Sequence, residues 1–245
     1  MDHFFKKKFV LSTREYIDAV SDLKLFERKG LNCHISPGFK VKRLKVQVDY
    51  SFDGIIVTSK NSLEFLNELK INEKPIFCIG KSTSKKVISL GFKKNLIFSG
   101  EDIRGIEKKI KEYPKKNLTL LWLTQKNSEN QIINNLRKHN SIIKKIICYE
   151  VIPLDYIDKR TISLINSNQV IVVLFYSIFS AKIWLKLIKD AKINSVVNKF
   201  NCVAISKEVS NYLLEHGFSD VYNAKRKNRF SLISKAIKVF KNKSI

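Results

Sequence analysis

The chain has 245 residues, 44% hydrophobic and 28% charged, which suits one large domain or two of ordinary size. Its 46 Lys and Arg against 22 Asp and Glu give a net charge of +24. Such a surface attracts polyanions, whether nucleic acid, an anionic membrane or a multiply carboxylated small molecule, unless the scattered, interrupted basic runs (FKKKF, RKNR, VFKNK) are only a composition bias spread over solvated faces. Cys33, Cys78, Cys148 and Cys202 form no C-x-x-C pair, which excludes zinc and dithiol chemistry and leaves buried thiols in a reducing cytoplasm; the longest apolar run, VIVVLFYSIFSAKIW, is too short and too interrupted to span a bilayer.

In chain order, FVLS reads as a first strand, followed by Thr13 and Arg14, and CHIS as a second. After Pro37 and Gly38, FKVKRLKVQV alternates basic and apolar residues like a long strand. GIIVTS ends in the polar run Thr58, Ser59, Lys60 and Asn61 and leads into the helical pattern NSLEFLNELK. The next strand, PIFCIG, runs into GKST, the letters that end a phosphate-binding P-loop. The second glycine of that motif is replaced by Pro75, whose fixed φ and missing N–H cannot open a phosphate cradle, so the nucleotide reading fails. TSKKVISLGF, NLIFS, IRGIEKKIKEY, LTLLWL and ENQIINNLRKH continue the alternation, followed by the long strand SIIKKIICYEVIPL. VIVVLFYS, IFSAKIWLKLIKDA, NCVAIS, SKEVSNYLLEHG and DVYNA complete it.

Strict β-α alternation predicts parallel sheets with helices on both faces. A weak internal repeat adds that there are two of them: IGKSTSKKVISLGF and ISKEVSNYLLEHGF share one offset, which carries Ile79 onto Ile205, Lys81 onto Lys207, Ser84 onto Ser210 and Gly91 onto Gly217. Gly91 and Gly217 suit helix C-caps. The two long alternating segments pair most simply as a connector. The expected organisation is therefore two similar three-layer α/β domains joined by a two-stranded β-ladder, with an active-site cleft between them. Residues 1–37 with 153–245 form one domain, 48–144 an inserted domain, and 38–47 and 145–152 the connector strands.

No H-E-x-x-H, G-x-S-x-G or G-x-G-x-x-G occurs, and His3, His34, His139 and His216 are scattered. Polar residues instead recur where strands end: Thr13 and Arg14; Ser59 and Asn61; Gly80, Lys81, Ser82 and Thr83; Ser177 and Ser180; Ser206 and Lys207. Each set reads either as an ordinary helix N-cap or as part of an anion site built on helix-start N–H groups. Recurrence at five strand ends favours a shared anionic ligand at the carboxyl edges, where open α/β sheets bind ligands.

At these residues the chain resembles the uroporphyrinogen-III synthase family. The ordered set is Thr13-Arg14, VTSKN, IGKSTSKKVISLG, CYEV with Tyr149, LFYSIFSA and AISKEVSNYLLEHG, spread over nearly the whole length. The resemblance implies a two-domain, cofactor-free and metal-free enzyme that converts hydroxymethylbilane to uroporphyrinogen III, inverting the last pyrrole ring through a spiro intermediate. It implies that Tyr149 assists departure of the hydroxyl, and that Thr83, Ser59, Ser177 and Ser180 contact substrate. Arg14, Lys81 and Lys207 would meet acetate and propionate arms. A cytoplasmic monomer is expected, with hydroxymethylbilane handed over transiently by the preceding pathway enzyme and with neither nucleic acid nor membrane as partner. The chain departs from the family pattern at Val209, at Ile178 and at the Thr124-Gln125 turn. Competing readings are a degenerate, non-catalytic binder of anionic ligands and a basic nucleic-acid-binding protein.

Overall fold

The computed structural model describes residues 7–48, 51–69, 71, 73–128, 134, 141–193 and 199–244. The chain begins with β1 (Phe9–Ser12), α1 (Tyr16–Glu27), β2 (Asn32–Ile35) and β3 (Phe39–Arg43). There follow β4 (Gly54–Val57), α2 (Leu63–Leu66), β5 (Ile76–Ile79), α3 (Lys81–Ser89), β6 (Ile97–Gly100), α4 (Ile103–Glu112), β7 (Thr119–Gln125) and β8 (Ile142–Pro153). It ends with α5 (Lys159–Asn166), β9 (Val170–Phe175), α6 (Ile178–Asp190), β10 (Asn201–Ala204), α7 (Lys207–Glu215), β11 (Asp220–Asn223) and α8 (Arg229–Lys243). Two compact units result, one of Met1–Lys40 with Ile152–Ile245 and one of Val41–Val151. The helical pattern ENQIINNLRKH, His3 and His139 lie outside the described residues.

In the first unit the strand order is β11-β10-β9-β1-β2 and every pairing is parallel. A parallel sheet is covered on both faces, so its strands read as continuous apolar runs. The side-chain alternation of β1 and β9 divides the core accordingly. Leu11, Val173 and Phe175 pack with Leu164 of α5, Trp184 and Leu187 of α6 and Leu213 of α7. Val10, Val172 and Leu174 pack with Phe26 of α1 and with Leu232, Ala236 and Phe240 of α8. Trp184 is fully buried, with its indole N–H satisfied by Ser36 Oγ at 3.2 Å.

The second unit has the order β3-β8-β7-β4-β5-β6, parallel from β8 through β6. Ile55, Val57, Cys78, Leu121 and Leu123 face Leu63, Leu66 and Val87 of α2 and α3, while Ile56, Phe77 and Trp122 face Ile106 and Ile110 of α4. The N–H of Leu44 bonds the Cys148 carbonyl at 3.0 Å and that of Leu154 bonds the Gly38 carbonyl at 2.9 Å, so β3 runs antiparallel to β8. This ladder is continuous with the sheet, because Ile142 to Tyr149 of β8 also pair with β7. Strand β3 ends at Arg43, one residue before the Leu44 bond, although the apolar alternation persists. Val46 and Val48 still pack on the core, so the alternation there reports one-sided burial without strand pairing.

The four cysteines are free thiols; Cys78, Cys148 and Cys202 are buried, and burial pushes the first two up to about 12 and about 11. Helices α1, α5 and α8 have no counterpart among the helical segments picked out by periodicity. Among them, α5 is started by Asp158, which caps the Thr161 N–H at 2.9 Å and accepts the Thr161 hydroxyl proton. Since that proton is committed, His34 Nε2 is the donor in its 2.9 Å contact with Thr161 Oγ1.

Gly91 and Gly217, at φ +92° and +90°, end α3 and α7 as the repeat predicts. Their missing side chains would face open space, so Gly217→Ala costs only the left-handed backbone, about 1 kcal/mol by denaturant unfolding. A Cβ on Gly100 would lie 2.5 Å from the Gly105 carbonyl carbon and the Ile106 nitrogen, so Gly100→Ala is expected to cost more, about 1–3 kcal/mol. Burial lowers the His34 pKa, so the unfolded chain protonates first: this contribution to stability is full above the unfolded value near 6.5 and declines as pH falls below it. The denaturation midpoint of His34→Gln should depend less steeply on pH over that window than that of the unaltered protein.

Candidate functional site

Parallel pairing sends every strand of a sheet out at the same edge, so the turns that follow β1, β4, β5, β9 and β10 collect the polar residues of each unit at its own carboxyl edge. In the second unit the edge is built by β4, β5, β7 and β8. Ser59, two residues beyond β4, is extended (φ −142°) and accepts the Asn61 N–H at 3.2 Å, which starts a 3-10 turn at Lys60–Ser62. The Asn61 side chain is left at the exposed surface. Tyr149 sits on β8 opposite Gln125, the last residue of β7, and is 6% exposed. Its phenol lies beside the Ser59 side chain.

Burial raises the Tyr149 pKa, with the Ser59 hydrogen bond opposing the rise. Tyr149 therefore stays protonated throughout the neutral range.

Along the same edge, Gly80 (φ +81°) turns β5 into α3, with its N–H on the Gly100 carbonyl at 2.7 Å. Thr83 is buried and its N–H bonds back to Gly80, while Lys81 and Ser82 are exposed. Glycine offers no capping side chain, so the first turn of α3 presents backbone N–H groups at a site that a Cβ on Gly80 would leave open.

In the first unit, several of the same residue types close local structure. Thr13 is fully buried and its hydroxyl donates to the Leu174 carbonyl at 2.7 Å, clamping β1 to β9. Ser177 and Ser180 form a reciprocal capping box at the start of α6, each accepting the other's backbone N–H at 3.0 and 3.2 Å. Ser206 caps α7 through the Val209 N–H at 3.5 Å and donates to Glu208 at 2.7 Å; Lys207 is exposed.

Arg14 is paired with Asp18 at 2.9 Å and with the fully buried Asp22 at 3.3 Å, and lies 5.0 Å over the Tyr176 ring. Asp22 also accepts from the Tyr176 hydroxyl at 2.7 Å and from Nε of Arg229. Asp22 and Arg229 were not among the residues picked out from sequence. Asp18 and Asp22, four residues apart on α1 and just after Arg14, would have signalled the first of these; nothing local signals Arg229.

The family model described as uroporphyrinogen-III synthase HemD matches residues 22–234, most of the chain. No curated protein sequence matches significantly. Among solved structures, the uroporphyrinogen-III synthetase of Helicobacter pylori is similar with a TM-score of 0.64 at 18% identity, covering 95% of this chain and 99% of that one. A mutant uroporphyrinogen III synthase from the extremely thermophilic bacterium Thermus thermophilus is similar with a TM-score of 0.56 at 11% identity, covering 96% and 99%. At these identities the likeness shows a shared fold, and the family match gives it a name: the chain belongs to the uroporphyrinogen-III synthase family.

Proposed function

We propose that this chain is a cofactor-free lyase that cyclises hydroxymethylbilane to uroporphyrinogen III in the cytoplasm, working as a monomer. The observation that carries the assignment of roles is the Ser59–Tyr149 pair at the carboxyl edge of the second unit's sheet. Loss of the substrate hydroxyl breaks a C–O bond, and the electron pair leaves with oxygen, which needs a proton. A phenol that burial keeps protonated supplies a hydrogen bond to that departing oxygen. The azafulvenium that remains is a delocalised cation that reacts without further chemical help, so the protein's remaining task is to hold one conformation. The exposed Lys81 and Lys207 and the uncapped start of α3 are proposed to take substrate carboxylates, with Asn61 and Ser82 as neutral donors. Thr13, Thr83, Ser177, Ser180 and Ser206 are proposed to act indirectly, by fixing the turns on which these groups stand.

The deciding experiment supplies hydroxymethylbilane from a coupled enzyme and separates type I from type III product by chromatography. Type III product is expected; type I alone, at the uncatalysed rate, would leave a non-catalytic polycarboxylate binder. Tyr149→Phe is expected to lower kcat by about 100-fold with little change in KM, and unchanged turnover would remove the role of Tyr149. Ser59→Ala should raise the Tyr149 pKa further, because the opposing hydrogen bond is gone; ring-labelled tyrosine NMR titration reads this directly.

A further inference from the structure

Arg229 opens α8, and its side chain is 28% exposed. Its Nε donates to Asp22, a carboxylate with no exposed surface. Asp22 is itself fixed by the Tyr176 hydroxyl at 2.7 Å and by Arg14 at 3.3 Å. The two terminal nitrogens of Arg229 have no hydrogen-bond partner among the described residues. Anchoring a guanidinium through Nε to a buried acid removes most of its rotamer freedom and leaves its two Nη groups for a further acceptor, a planar pair able to take a carboxylate with two parallel bonds. Beside it, Phe230 is 70% exposed, with its ring centroid 5.5 Å from the guanidinium carbon. A large exposed aromatic beside a preorganised guanidinium suits a ligand that is flat and apolar in its ring and anionic in its arm. The preceding loop carries Lys225, Arg226 and Lys227, which raise the local positive potential.

We infer that Arg229 and Phe230 form a binding subsite for one carboxylate-bearing pyrrole of a tetrapyrrole, with Asp22 as the residue that positions Arg229. The identity of the ligand rests on the synthase reading; the subsite itself rests on the geometry around Asp22. Arg229 takes the acetate or propionate, and Phe230 stacks on the ring.

The test uses the full chain and uroporphyrin I, the oxidised macrocycle with the same acetate and propionate arms, titrated by fluorescence. KM and kcat for hydroxymethylbilane and thermal melting are measured alongside. Arg229→Gln is expected to weaken uroporphyrin I binding and to raise KM, each by on the order of tenfold, with kcat retained. Arg229→Lys keeps the charge but not the fork, and should recover only part of the loss. Phe230→Ala, at an exposed position, should weaken binding several-fold without lowering the melting temperature. Lys186→Gln, an exposed charge on α6, is the charge-matched control and should leave binding unchanged. No binding by the unaltered protein, unchanged binding in Arg229→Gln, or an equal loss in Lys186→Gln overturns the inference. A protein that binds uroporphyrin I through Arg229 yet makes only type I product would overturn the synthase reading and leave the subsite standing.

Discussion

The pairing of β1 with β9 on one side and β2 on the other is the constraint on which the rest of the molecule depends. Leu11 lies opposite Val173 and His34, in a sheet made otherwise of strands from the last third of the chain. Once β1 is a central strand of that sheet, the whole of β4 to β7 has to form elsewhere, on a core of its own, and β3 and β8 must carry the chain out and back. The antiparallel bonds from Gly38 to Leu154 and from Leu44 to Cys148 are that crossing. The Thr13 hydroxyl on the Leu174 carbonyl continues the clamp one residue beyond the strand. The same pairing puts Arg14 over Tyr176, two residues far apart in sequence that each follow the end of a neighbouring strand.

Burial then divides the polar residues of each edge into two kinds. Those with no water available close on one another: Thr13 on a strand carbonyl, Ser177 with Ser180, Asp22 with two arginines and a tyrosine. An unpaired charge at Asp22 would cost far more than any surface interaction returns, so that acid dictates where its partners stand. The second kind remains exposed: the first N–H groups of α3, Lys81 and Lys207. A reaction limited by holding a flexible polycarboxylate and easing the loss of one hydroxyl needs few groups of this second kind, provided they are held still.

Fold class was legible because both of its signals are local. An apolar run such as VIVVLF is buried on both faces wherever it sits, and IRGIEKKIKEY carries its apolar stripe whatever it packs against. Gly91 and Gly217 could be read as helix ends because a left-handed residue is a property of three or four positions. Helices α1, α5 and α8 were harder to see. In α8 the apolar residues Leu232, Ile233, Ala236, Val239 and Phe240 are separated by lysines that lie on the solvent face, and the segment reads as basic before it reads as amphipathic. Of the site, sequence singled out Ser59 as a strand-end hydroxyl and Tyr149 through a family pattern, neither through the other.

The amino-acid order by itself determined most of the segments that become strand and helix, that the sheets are mainly parallel, and which polar residues stand at strand ends, because each depends on side-chain periodicity and turn chemistry within a few residues. Whether a strand-end hydroxyl is a helix cap or an open donor was decided only in three dimensions. So was the seating of Arg229 on Asp22 and of Ser59 beside Tyr149. Those outcomes depend on strand order and on the depth of burial, and neither is a property of any short stretch of chain.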